Sequence, residues 1–172
     1  MRILKLTALF AVVASLSTAM ALAETTPVTP NPSQVCKNLR TQMGAATFKA
    51  TYGTNHNKRN AFGKCVSAQS KLVSNQTKAA KNTCKAEQAA DAAAFAQKYG
   101  TNKNKKNAYG KCVSSQASAG VKENVTAIVN AAKQCKAERK ADPAAFKAKY
   151  GTNKNKRNAF GKCVSATAKA KS

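Results

Sequence analysis

The 172-residue sequence contains no Trp, a single His, four Pro and only six acidic residues. Large apolar side chains are also scarce. Beyond residue 23 there are 18 Leu, Ile, Val, Met or Phe residues and four Tyr. Each shortage excludes something. So few large apolar groups cannot fill an ordinary enzyme core. One His and six carboxylates leave little for acid–base or nucleophilic chemistry. What the chain does have is 35 alanines and 30 Lys or Arg, for a net charge of +24. It also has six Cys, and covalent links are therefore expected to supply what apolar burial cannot.

Residues 1–23 read as a secretory signal peptide. Arg2 and Lys5 precede the apolar stretch Leu6 to Leu16, and Ala21 and Ala23 offer a small-residue cleavage site before Glu24. Ser15, Ser17 and Thr18 dilute the stretch below what a membrane anchor needs. Without this segment's two cations the mature chain would carry +22. Residues 24–33, with three prolines, read as a flexible leader.

A single unit then recurs three times. Tyr52 begins YGTNHNKRNAFGKCVSA, Tyr99 begins YGTNKNKKNAYGKCVSS, and Tyr150 begins YGTNKNKRNAFGKCVSA. Phe48, Phe95 and Phe146 each stand four residues before the Tyr, and a further Cys precedes each Tyr by fifteen or sixteen. Taken as repeats, the units divide the chain into modules over 34–81, 82–130 and 131–172. The second carries a connector and the third a basic tail.

Local signals resolve each module into helices. Asp142-Pro143 reads as an N-cap followed by Pro at the first helical position. Asp91 fills the same place in module 2 and Gly44, a weaker cap, in module 1. The short helix that follows puts Phe146 and Tyr150 on one face, and Gly151 is expected to end it as a left-handed C′ residue. Asn158 is placed to cap the next helix, where Phe160 and Val164 again share a face. Asn is expected to take any left-handed position in the loop between. Val121, Val125, Ile128, Val129 and Ala132 follow helical spacing and predict an amphipathic connector near 122–140, punctuated by Gly120.

The fold class expected is all-α: three disulfide-clipped helical modules joined by amphipathic connector helices, in an elongated array. Six Cys allow fifteen connectivities. The repeat selects Cys36–Cys65, Cys84–Cys112 and Cys135–Cys163, each closing a loop worth about 3–4 kcal/mol in the chain-entropy model.

The same spacing argues against metal, because structural zinc sites use closely spaced Cys or His pairs. The loop Asn153 to Phe160 carries oxygens at alternate positions but no carboxylate, so calcium is rejected. No cofactor and no catalytic residue is expected. His56 stands where the other loops have Lys103 and Lys154, and Ser67, Ser114 and Ser165 read as helix surface.

The serious candidates are the cations of the three loops. They are Lys58, Arg59 and Lys64; Lys103, Lys105, Lys106 and Lys111; and Lys154, Lys156, Arg157 and Lys162. Each set sits before or at a helix N-terminus, where backbone N–H groups and the helix dipole favour anions. Three sets on one chain would bind a polyanion multivalently. Phe62, Tyr109 and Phe160 could stack on bases, but their pairing with Val66, Val113 and Val164 makes them core. The sequons at Asn75 and Asn124 read as chance.

The motif YGTNKNKRNAFGKCVS, with CKAERKADPAAFKAKYG before it, resembles a repeat of small secreted bacterial proteins. The resemblance covers 36–65, 84–112 and 135–163. It implies export and repetition, and brings no activity or site residues with it.

The function expected is therefore that of a secreted, non-enzymatic protein binding a nucleic acid, an anionic envelope polymer or an acidic lipid surface. A structural or protein-interaction role in the envelope is the alternative. A membrane-active antimicrobial ranks third, since no continuous apolar face opposes the cations. No small-molecule substrate is evident.

Overall fold

The computed structural model describes residues 30–170. The signal-peptide reading, most of the leader and the last two residues of the tail lie outside the described residues. Among the described residues the chain forms helices and no strand: α1 (Pro32–Met43), α2 (Ala45–Tyr52), α3 (Ala61–Ala90), α4 (Ala92–Tyr99), α5 (Ala108–Ala141), α6 (Pro143–Tyr150) and α7 (Ala159–Lys169). The leader ends sooner than expected. Asn31 caps α1, its side chain accepting from Ser33 N at 2.9 Å, and Pro32 opens the helix.

Each module joins a helix that carries its first Cys, an eight-residue helix and the start of a helix that carries its second Cys. The aspartates cap as their sequence positions imply. Asp91 accepts from Ala94 N, and Asp142 from Ala144 N and Ala145 N, all at 2.9 Å. Module 1 makes the same turn differently, through Gly44 at φ +78° with no side-chain cap. The turn reverses the chain, so the first Cys of each module meets the second. The disulfides are Cys36–Cys65, Cys84–Cys112 and Cys135–Cys163, with Cα atoms 6.0 Å apart in each. All six Cys are fully buried, beside Phe48, Phe95 and Phe146. The short-helix aromatics pair as their spacing implies. Phe48–Tyr52 and Phe146–Tyr150 ring centroids lie 5.0 Å apart, and Phe95–Tyr99 4.9 Å.

The modules share helices. α3 holds both Cys65 and Cys84, and α5 both Cys112 and Cys135. The limits at 81/82 and 130/131 thus fall inside continuous helices of 30 and 34 residues, which at 1.5 Å per residue span about 45 and 50 Å. Gly120 does not punctuate α5. The helix runs through it, and the missing side chain makes room for the Gln76 amide of α3.

The array is not linear. α3 packs most extensively on α5 and α5 on α7. Cys84 meets Cys112 and Gln76 meets Gly120, so α3 and α5 form an antiparallel hairpin. Module 2 is the tip, with a core of only Cys84, Phe95, Ala108 and Cys112 bordered by Tyr99, Tyr109 and Val113. Modules 1 and 3 lie side by side at the base. Met43 and Ala50 of module 1 pack into the module 3 core, while Val121 and Val129 of α5 enter the core of module 1. α2 also packs directly on α7. The elongated array expected from the repeat becomes a doubled-back one because α3 and α5 are unbroken and carry apolar residues on facing sides.

Candidate functional site

Each YGTN loop is a tight knot built by Gly, Asn and Lys, in roles other than those their types suggest. Gly53, Gly100 and Gly151 are not left-handed. Their φ values are −72°, −74° and −76°, in the extended region. Glycine is required for space. A Cβ at Gly53 would lie 2.6 Å from Lys49 O and 2.7 Å from Lys58 Cβ, and the other two sites repeat this. The left-handed residue is the lysine itself: Lys58, Lys105 and Lys156 have φ of 58°, 55° and 54°. This conformation costs a non-glycine residue about 1 kcal/mol. It swings the lysine back over the glycine, and Nζ donates to the Gly53, Gly100 and Gly151 carbonyls at 2.6, 2.9 and 2.8 Å.

Asn60, Asn107 and Asn158 do not cap the following helices with their side chains. They tie the loop to its own start instead. Asn158 Oδ1 accepts from Thr152 N at 3.1 Å and Nδ2 donates to Thr152 Oγ1 at 2.6 Å, and the other two modules do the same. Asn57, Asn104 and Asn155 each accept from the backbone N–H two residues on, at 3.1–3.2 Å.

Three of the eleven candidate cations, Lys58, Lys105 and Lys156, are therefore structural pins. Of the others, Arg59, Lys64, Lys103, Lys106, Lys154, Arg157 and Lys162 are exposed and Lys111 is half-buried. None of the eight meets an acid among the described residues, where the acids are engaged elsewhere or lie on α5. Asp91 and Asp142 cap helices. Glu87 and Glu138 hold Lys98 and Lys149 at 2.6 and 2.8 Å and accept from the Tyr99 and Tyr150 hydroxyls at 3.0 and 2.9 Å. Those hydrogen bonds, Lys first, hold both carboxyls below their usual range and push both ammonium groups up.

Pairing of modules 1 and 3 brings the first and third loops together across a cleft of about 580 Å³, away from the second loop at the tip. Asn55, His56 and Lys58 line one side and Asn153, Asn155, Arg157, Asn158 and Lys162 the other, with Gly161 and Ser165 at the α7 wall. No carboxylate is among the lining residues. The sole His thus faces the cationic loop of another module.

The aromatics are largely occupied. Phe160 is buried, with the Arg139 guanidinium 4.8 Å from its ring centroid. Phe48–Phe62 and Phe146–Phe160 centroids lie 6.5 and 6.4 Å apart.

Sequence reasoning missed the polar partners of the tyrosines. Glu87 and Glu138 stand three residues after the first Cys of their modules, where module 1 has buried Leu39. Tyr52 consequently has no carboxylate. Burial pushes its hydroxyl up to about 12, partly offset by the Gln69 amide beside it. Tyr52 Oη and Gln69 Oε1 are both buried, and the two side chains lie against each other. The signal available was Leu39, an apolar residue where the repeat otherwise has Glu.

No family model, curated protein or solved structure matches this chain.

Proposed function

We propose that the chain is a secreted, non-enzymatic protein that binds polyanions through the exposed cations of its loops. The observation that carries this reading is the cleft between the first and third loops, where Arg157 and Lys162 face Asn55 and His56 with no carboxylate among the lining residues. A cationic concavity without acids concentrates anions by its field, and neutral Asn side chains add donors and acceptors. The buried disulfides support an oxidising compartment. The pinned lysines fix each loop, so an anion that binds there has little loop-ordering cost to meet.

The test is binding of the mature protein to DNA, a heparin-like polymer and anionic vesicles across a salt series. Affinity should fall log-linearly with salt, as expected when cations displace condensed counterions. Replacing Arg59, Lys154, Arg157 and Lys162 by Gln should flatten that slope by up to about four charges, whereas Lys58→Gln should disturb the loop rather than the slope. A slope near zero overturns the reading. Vesicle leakage without polymer binding would favour membrane activity instead.

A further inference from the structure

One aromatic ring of the repeat is covered differently in each module. Phe62, Tyr109 and Phe160 each stand three residues before the second Cys, and Arg40, Gln88 and Arg139 each stand four residues after the first. The scaffold beneath modules 1 and 3 is the same. Their bridged Cys have Cα atoms 6.0 Å apart, and the Phe48–Phe62 and Phe146–Phe160 centroids lie 6.5 and 6.4 Å apart. In module 3 the Arg139 guanidinium sits 4.8 Å from the Phe160 ring centroid, a cation–π contact, and Phe160 is buried. Module 2 has Gln88 in place of the Arg, and its Tyr109 hydroxyl donates to the Lys81 carbonyl at 3.3 Å.

Module 1 keeps the Arg and leaves the ring open. Phe62 borders its core and is only half-buried. A cavity of about 530 Å³ opens beside it, lined by Lys37, Arg40, Thr41, Ala45 and Phe62. The break between α1 and α2 also differs: seven residues separate Cys36 from Gly44 and six separate Cys135 from Asp142, and Ala45 stands where module 3 has Pro143. Lys37 and Arg40 are exposed, and no carboxylate is among the lining residues. The cavity therefore joins an accessible aromatic ring to two cations.

That combination selects among anions. A bare anion uses the cations and not the ring. An anionic sugar polymer or a lipid headgroup offers charge without a flat aromatic face. A nucleotide offers both, since its base stacks on an aromatic side chain while its phosphate meets Lys or Arg. Exposed Arg59 and Lys64 flank Phe62 within three residues along the chain and supply charge for neighbouring phosphates. We propose that this cavity is a base-stacking site: it holds one unpaired base of a single-stranded nucleic acid on Phe62, with the adjoining phosphate on Lys37 and Arg40. This rests on the polyanion reading and narrows it to polyanions that carry unpaired bases.

The probe is a single-stranded DNA of about twelve nucleotides, titrated into the mature protein across a salt series, against an abasic strand of the same length and charge. The abasic strand should bind about tenfold more weakly with the same salt slope, because only the stacked base is lost. Phe62→Leu keeps an apolar side chain against the module 1 core. It should lower DNA to the abasic affinity and leave the abasic strand unaffected. Lys37→Gln with Arg40→Gln should weaken both strands and reduce the slope by about 1.4. Phe62→Trp gives the chain its only Trp, whose emission should be quenched by the DNA and not by the abasic strand. Helical circular dichroism and intact disulfides verify that the variants fold. Equal, salt-dependent binding of the two strands overturns this inference and leaves the polyanion reading standing. A preference for bases that survives Phe62→Leu puts the stacking elsewhere and overturns it too. Absence of salt-dependent binding by either strand overturns both readings.

Discussion

Module 2 and the pair formed by modules 1 and 3 share nearly the same loop sequence, yet they are held together differently. The tip has four core residues, two of them the cysteines of its disulfide, and its loop faces solvent alone. The base has two cores that exchange residues: Met43 borders both, and α5 contributes Val121 and Val129 to one and Ala127, Ala131 and Ala132 to the other. A repeat unit of this size is therefore sufficient to form a clipped knot, and pairing two of them brings two loops onto one cleft. Burial of small residues along α5 adds what the disulfide alone does not supply at the tip.

The largest test of that contrast is to open the bridges one at a time. Replacing Cys84 and Cys112 by Ala should remove about 3.5 kcal/mol on the chain-entropy account of a 28-residue separation. With so small a core, α4 and the neighbouring ends of α3 and α5 should lose amide-exchange protection while α1, α2, α6 and α7 keep theirs. Opening Cys135–Cys163 should instead reduce protection in both base modules together. If the tip retains its protection without its bridge, or the base fails when the tip is opened, the division into an autonomous tip and a coupled base is wrong.

A smaller effect isolates the pairing itself. Gly63, Gly110 and Gly161 are equivalent in the repeat. A Cβ at Gly63 or Gly110 meets nothing within 4 Å, whereas one at Gly161 would lie 2.6 Å from the Thr51 carbonyl oxygen of α2. Gly161→Ala should therefore destabilise by about 1–3 kcal/mol as α7 is forced off α2. Gly63→Ala and Gly110→Ala should stabilise by up to about 1 kcal/mol through helix propensity alone. Thermal denaturation of the three variants reads this directly. Equal signs in all three would mean that α2 and α7 do not press on one another.

These contrasts also mark how far the sequence could be read. The repeat selects the disulfides, and Asp91 and Asp142 announce their caps, because both signals are local and recur in register. The loop was harder. Residue type points to Gly or Asn for a left-handed turn, but Lys58, Lys105 and Lys156 take it because Nζ can reach the carbonyl of the glycine beneath. No propensity scale contains that contact. The base cleft was illegible for another reason. Gly161 matches Gly63 and Gly110 in sequence and differs only in what α7 packs against, which depends on two unbroken helices folding the chain back. Leu39, like Gly44 and His56, is a visible departure of module 1 from the repeat, and it marks the module whose Tyr lacks a carboxylate.

The least expected effect concerns pH, and it separates module 1 from the other two. Hydrogen bonds from Lys98 and Lys149 hold the Glu87 and Glu138 carboxyls below their unfolded values. Their contribution is full above the ordinary carboxylate range and is lost as pH falls through the lowered folded values. Module 1 has no such pair, so acid should reduce protection in α4 and α6 and spare α2. The change should be small, because both pairs are exposed and screened by solvent. At the alkaline end module 1 has a liability of its own. Burial raises Tyr52 to about 12, so its contribution is intact below the ordinary phenol range and fades as pH climbs from about 10 toward 12. Lys98 and Lys149, raised chiefly by their Glu partners, lose their share at the same end, so only the acid limb discriminates. Exchange measured from neutral pH into acid on the wild type and on Glu87→Gln with Glu138→Gln provides the check. The variant should show no acid-dependent difference between α4 and α2. Equal sensitivity of α2 in the wild type would mean that Leu39 has not set module 1 apart.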